Sequence, residues 1–136
     1  MTKRINETSP YLQRLKELTP ELRFPEIISS GKGFTEHNMK CGTSLSTSLL
    51  NKKEISCAEW FNSTGSKFPD HIHDERLWLI IYRGSMKVTI KGQEPKILRV
   101  GEYVVIEPRV IHQTEFLEDC FYIAITIPCC DDWPSV

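Results

Sequence analysis

Short apolar segments separated by turn residues fill most of the chain after Gly42, and this pattern limits the possible folds more than any other feature of the sequence. Gly84, Gly92 and Gly101 separate several of these segments, each of which is only a few residues long. Short strands at this spacing, punctuated by glycine, favour an all-β sandwich or barrel. The predicted strands are Ser44–Leu50, Ile55–Phe61, Leu77–Tyr82, Met86–Ile90, Pro95–Val100, Tyr103–Ile106 and Phe121–Ile127.

The N-terminal part of the chain has a different pattern. Ser9-Pro10 is typical of a helix start, and Pro20 ends the helical spacing. Residues 23–42 show no strong period and are expected to form a loop. We therefore predict a short N-terminal α-helix and an irregular arm over residues 1–43, packed on a β-barrel formed by residues 44–136. The leucines of the apolar stripe on this helix are Leu12, Leu15 and Leu18.

Length, charge and cysteine content narrow the class of protein. A chain of 136 residues is the size of one domain, and a formal net charge of -1 without a basic run argues against a nucleic-acid partner. No apolar stretch is long enough to cross a bilayer and no signal core follows the N-terminus, so we expect a cytoplasmic protein without a membrane partner. The cysteines are irregularly spaced and are expected to be reduced thiols. They are Cys41, Cys57, Cys120, Cys129 and Cys130.

Three of the four histidines lie in the β-rich part of the chain. His71 and His73 are separated by one residue, so on an extended strand both imidazoles face the same side. A neighbouring strand that returns through a hairpin would bring His112 to the same place. Neutral imidazole is a common ligand of first-row divalent metals. The fourth histidine, His37, lies far from this pattern and is not expected to be a ligand.

The spacing around these histidines resembles the two sequence motifs of the cupin family. The first motif reads glycine, five residues, His-x-His, three or four residues, glutamate, six residues and glycine, and the segment from Gly65 to Gly84 has this spacing. Leu77 stands where the family has glutamate. In the second motif, Gly101 and His112 match by position. Three positions of that motif differ from the family, with Glu107, Arg109 and Phe116 in place of proline, glycine and asparagine.

This resemblance, which covers about Ser44 to Ile127, implies an all-β jelly-roll barrel, the double-stranded β-helix. By position match it also implies one divalent metal ion, such as iron, manganese, nickel or zinc, held by His71, His73 and His112. The missing glutamate leaves three interpretations open. The metal is bound by three histidines alone, as in the thiol dioxygenase branch of the cupins; Glu75 replaces the missing ligand; or the metal has been lost and the histidines contact an organic ligand.

The resemblance also suggests how a substrate would be held. Arg109 near the barrel mouth is a candidate partner for a substrate carboxylate, although pairing with a surface glutamate is the simpler interpretation. Tyr82 and Leu77 are further candidates for the pocket. The function predicted is that of a metal-dependent enzyme, of dioxygenase or isomerase type, acting on a small molecule. A non-catalytic protein that binds or senses a small ligand is the alternative, and a homodimer is expected.

Overall fold

The computed structural model describes residues 2–4, 34–37 and 42–129, and within these ranges the chain forms strands, turns and loops without a helix. The all-β prediction is therefore confirmed, whereas the predicted N-terminal helix lies outside the described residues. The described strands are β1 (Thr2–Arg4), β2 (Phe34–His37), β3 (Ser44–Lys52), β4 (Ile55–Asn62), β5 (Lys67–His71), β6 (Arg76–Arg83), β7 (Met86–Ile90), β8 (Lys96–Leu98), β9 (Tyr103–Ile106), β10 (His112–Phe116) and β11 (Cys120–Ile127).

Two antiparallel sheets build the double-stranded β-helix. The larger sheet has the strand order β1-β2-β3-β4-β11-β6-β9, and the smaller has the order β5-β10-β7-β8. Paired neighbours such as β11 and β6 are far apart in sequence, so each sheet combines strands from distant parts of the chain.

Alternation along the strands places the core between the two sheets. In β6, Leu77, Leu79 and Ile81 are buried while the residues between them are half-buried. In β7, Met86 and Val88 are buried from the opposite side. Because side chains alternate across a strand, each strand contributes every second residue to the same apolar interior.

The N-terminal arm contributes two strands to the edge of the larger sheet. β2 pairs with β3 in the register Phe34↔Thr47, and β1 pairs with β2. The prediction that residues 23–42 form a loop is therefore wrong at Phe34–His37, where pairing with β3 stabilises an extended conformation. The predicted division of the chain at residue 43 remains a prediction.

Two turns show how closely the connections are constrained. Gly84 has a φ of 80°, and a Cβ atom there would lie 2.2 Å from the carbonyl oxygen of Asp119. Arg109 also takes a positive φ, of 61°, which is unusual for a residue with a side chain. It stands where the cupin motif has glycine, so the turn keeps its backbone conformation despite the substitution.

No helix among the residues that the structure describes is long and apolar enough to cross a membrane.

Candidate metal centre

The three histidines meet where β5 and β10 pair. His71 is the last residue of β5 and His112 the first of β10, and the two are paired in the antiparallel register. His73 follows β5, in the connection to β6, rather than on the strand itself. The three imidazole rings thus come from two paired strand ends and from the loop that follows β5.

The imidazoles converge closely enough to share one ion. Their possible ligand atoms all lie within 4.8 Å of one another. The ring centroids are 4.2 Å apart for His71 and His112, 4.8 Å for His71 and His73, and 5.3 Å for His73 and His112. His112 is 1% exposed, His73 is 9% exposed and His71 is half-buried, so the cluster extends from the barrel interior towards its mouth.

Backbone carbonyls hold two of the rings in the Nδ1–H tautomer, which leaves Nε2 available to bind a metal. His71 Nδ1 lies 2.6 Å from the carbonyl oxygen of Pro69, and His112 Nδ1 lies 2.9 Å from that of Val110. Because a carbonyl only accepts, each Nδ1 donates its hydrogen, and Nε2 of the neutral ring keeps its lone pair. His112 Nε2 is buried and has no hydrogen-bond partner within the described part of the chain. An unpartnered nitrogen aimed at two other imidazoles fits a metal ligand.

Burial lowers the pKa of two of the histidines, which favours metal binding. The pKa of His73 is lowered to about 4, mainly by burial and to a smaller extent by the neighbouring His71 and His112. Burial also lowers the pKa of His112, although the hydrogen bond to Val110 acts in the opposite direction. At neutral pH both rings therefore offer lone pairs without first losing a proton.

The histidines line one wall of a small apolar cavity of about 30 Å³. Leu77, at the position of the family's glutamate, is 4% exposed and forms part of the wall. Thr114, two residues after His112 on β10, lines the cavity as well. The other lining residues are Trp60, Phe68, Leu79, Met86, Tyr122 and Ala124.

The remaining site candidates from the sequence lie away from this cavity. Glu75 precedes β6 and is outside the group of converging ligand atoms. Arg109 is exposed, and its Nε lies 3.1 Å from a carboxylate oxygen of Asp74, so its partner is an aspartate and not the surface glutamate that was expected. Tyr82 alternates with Leu77, Leu79 and Ile81 on β6, so its ring faces the other side of the sheet, 6.1 Å from that of Phe121.

Sequence reasoning overlooked Thr114 and the aromatic wall of the cavity. The spacing of Thr114 from His112 was a usable signal, since residues two apart on a strand share a face. Trp60 and Phe68 carried no comparable signal, because many aromatic residues in the chain are core residues elsewhere. Their rings are 6.0 Å apart and nearly perpendicular.

Fold and site together define an all-β barrel with a candidate three-histidine metal centre, and part of the chain is similar to a known family. Residues 62–125 match the cupin domain family. No curated protein sequence matches the chain. The family match and the shared fold support the cupin resemblance that the two motifs predicted.

Solved structures with the same fold include several cupins of low sequence identity. An RmlC-like cupin from Shewanella frigidimarina aligns over 71% of this chain and 86% of its own, with 20% identity and a TM-score of 0.64. KdgF from a Halomonas species aligns over 65% and 83%, with 20% identity and a TM-score of 0.62. The EutQ protein of Clostridium difficile aligns over 68% and 71%, with 17% identity and a TM-score of 0.57. At these identities the likeness establishes the fold alone.

Proposed function

We propose that this protein is a metal-dependent cupin enzyme that acts on a small molecule, with one divalent metal ion held by His71, His73 and His112. The observation that carries the proposal is the convergence of three imidazoles at a small apolar cavity, one of them with a buried, unpartnered Nε2. A three-histidine set is favoured over one that includes Glu75, because the carboxylate of Glu75 is outside the converging group.

Each group of residues at the site would have a distinct role. Three neutral ligands leave the charge of a divalent ion uncompensated by protein, so a bound metal would act as a Lewis acid and, if it is iron, support O₂ chemistry. The carbonyls of Pro69 and Val110 hold the protons of two rings on Nδ1. Leu77 and its apolar neighbours exclude water from the reacting groups. O₂-linked oxidation or isomerisation of a small substrate fits this arrangement.

A non-catalytic protein that binds or senses a small ligand is the second candidate. The apolar wall around Leu77 favours it, since such a cavity also suits simple ligand binding. The two functions differ in outcome, because the enzyme would show turnover that follows metal content, whereas the binding protein would show saturable binding without turnover.

Metal content tests the proposal directly. The wild type, His73→Ala and His37→Gln would be purified, reconstituted anaerobically with ferrous iron, and analysed for bound metal. His37 is the histidine outside the cluster, 4.6 Å from the ring of Trp60, so its variant is the matched control. We expect about one ion per chain in the wild type and the control, and loss of it in His73→Ala.

Activity then separates the two candidates. Oxygen consumption would be followed with a panel of small thiols and other small substrates, with the His73→Ala protein as the blank. Absence of metal from the wild type would overturn the metal-dependent function and favour a screen for ligands instead. Bound metal without turnover of any substrate would favour the binding protein.

A homodimer also stays a proposal, supported by the frequency of twofold assemblies. Light scattering coupled to size-exclusion chromatography would measure the mass of the particle against the 15.8 kDa of one chain.

A further inference from the structure

Thr114 is a polar residue in the cavity for which the structure supplies no partner. It is 5% exposed, and its Oγ1 is buried without a hydrogen bond within the described part of the chain. A buried hydroxyl without a partner is costly, and such groups in native proteins call for an explanation. Valine has nearly the same shape and would avoid this cost, so the hydroxyl is expected to have a partner that comes from outside the described part of the chain.

The position of Thr114 indicates where that partner would lie. On β10, Thr114 and His112 are two residues apart on the face that lines the cavity. The Nε2 of His112 and the Oγ1 of Thr114 are both buried and both unpartnered. The cavity has a volume of only about 30 Å³, so a compact group bound beside the histidines would also lie near the Thr114 hydroxyl.

The charge around the cavity selects the kind of ligand. Among the described residues, the lining contains no carboxylate and no lysine or arginine. The Tyr122 hydroxyl already donates to Asn62 Oδ1 at 2.7 Å. A divalent ion on three neutral histidines would leave this apolar cavity with a net positive charge. A compact anion would compensate that charge, and the Thr114 hydroxyl would donate to it.

We propose that Thr114 is a ligand-positioning residue, whose hydroxyl donates a hydrogen bond to a compact anionic head group held beside the three histidines. This inference rests on the proposed metal site. It adds the substrate class, which is a small molecule with one anionic group that binds beside the metal. The Leu77 side chain supports this class, because it leaves the metal's charge to be compensated by the ligand.

Azide is a suitable probe, since it is a compact anion with a free end. The wild type, Thr114→Val, Thr114→Ser and Thr89→Val would be loaded with cobalt(II) and titrated with azide by visible absorption. Thr89 lies on β7 with its side chain on the opposite face of the same sheet, so its variant controls for the chemical change alone. We expect azide affinity to fall about tenfold in Thr114→Val, the effect of losing one hydrogen bond to a charged group, and to be kept in the other two variants.

Cobalt content and the stability of the metal-free protein complete the test. Equal cobalt in all four proteins would show that the histidine site is intact. Metal-free Thr114→Val should melt a few degrees above the wild type, because an unpartnered buried hydroxyl has been removed. Unchanged azide affinity in a cobalt-loaded Thr114→Val protein would overturn the role of Thr114 and leave the metal site standing. Absence of cobalt from the wild type would overturn both proposals.

Discussion

Protonation of His73 should make the stability of the metal-free protein depend on pH. Burial, together with the neighbouring His71 and His112, lowers the pKa of this residue from its ordinary value of 6.5 to about 4. The unfolded chain therefore binds a proton at a higher pH than the folded protein does, and stability falls as the pH drops from 6.5 towards 4. Above pH 6.5 the residue is neutral in both states and contributes no pH dependence.

The magnitude follows from the difference between the two pKa values. From 6.5 to about 4, at 1.36 kcal/mol for each pKa unit, the full effect is about 3 kcal/mol, of which about 2 kcal/mol is lost at pH 5. His73 is 9% exposed, so solvent screening reduces this value little. Other groups also titrate in or near this pH range, since burial lowers the pKa of His37 to about 4, lowers that of His112, and raises that of Glu59 to about 7.

A comparison with a neutral variant isolates the contribution of His73. The wild type and His73→Gln, both freed of metal by a chelator, would be unfolded with urea at pH 7.5 and at pH 5. We expect the wild type to lose about 2 kcal/mol more than the variant between the two pH values, since the other titrating groups are common to both proteins. An equal loss in the two proteins would refute the assignment of the depressed pKa to His73.

Two further substitutions test the turn geometry and the missing glutamate. Gly84→Ala should destabilise the protein by roughly 3 kcal/mol, because its Cβ would lie 2.2 Å from a backbone oxygen. Gly92→Ala, with a φ of 87° and open space around the Cβ position, should cost only about 1 kcal/mol. Chemical denaturation measures both variants, and equal losses of stability would contradict the clash at Gly84. Leu77→Glu should destabilise the metal-free protein by roughly 3 kcal/mol, because a carboxyl group replaces a buried leucine. Saturating zinc should recover most of that loss by making the carboxylate a fourth ligand, and thermal unfolding measures the recovery. If Leu77→Glu destabilises the zinc-loaded protein as much as the metal-free protein, there is no metal beside residue 77.

Local sequence patterns were sufficient for most strands but not for those that carry the site. β4, β6, β7 and β11 were predictable because apolar residues and glycine turns mark them. β5 and β10 have sequences rich in polar and charged residues, KFPDH and HQTEF, and they were missing from the predicted strands. The residues of these two strands that line the cavity include His71, His112 and Thr114. Because these site residues are polar, they weaken the alternation of apolar and polar residues that identifies a strand.

The identity of the candidate ligands was readable from spacing, whereas the roles of their neighbours were not. His71, His73 and His112 were predicted together because glycines at the expected separations accompany them. Arg109 and Tyr82 were reasonable pocket candidates, but the structure pairs one with Asp74 and turns the other to the opposite face of β6. The direction of a side chain depends on strand register and on the surrounding loops, neither of which a residue type specifies.

Spacing and alternation within the chain thus decided that this protein is an all-β cupin with three histidines available for one site, since turns and strand periodicity are local properties. Tertiary structure decided the chemistry of that site. The pairing of β5 with β10 sets the convergence of the rings, the carbonyls of Pro69 and Val110 select the tautomers, and burial leaves the Thr114 hydroxyl without a partner. Each of these depends on segments brought together in space, and contacts between distant segments are set by packing rather than by local sequence.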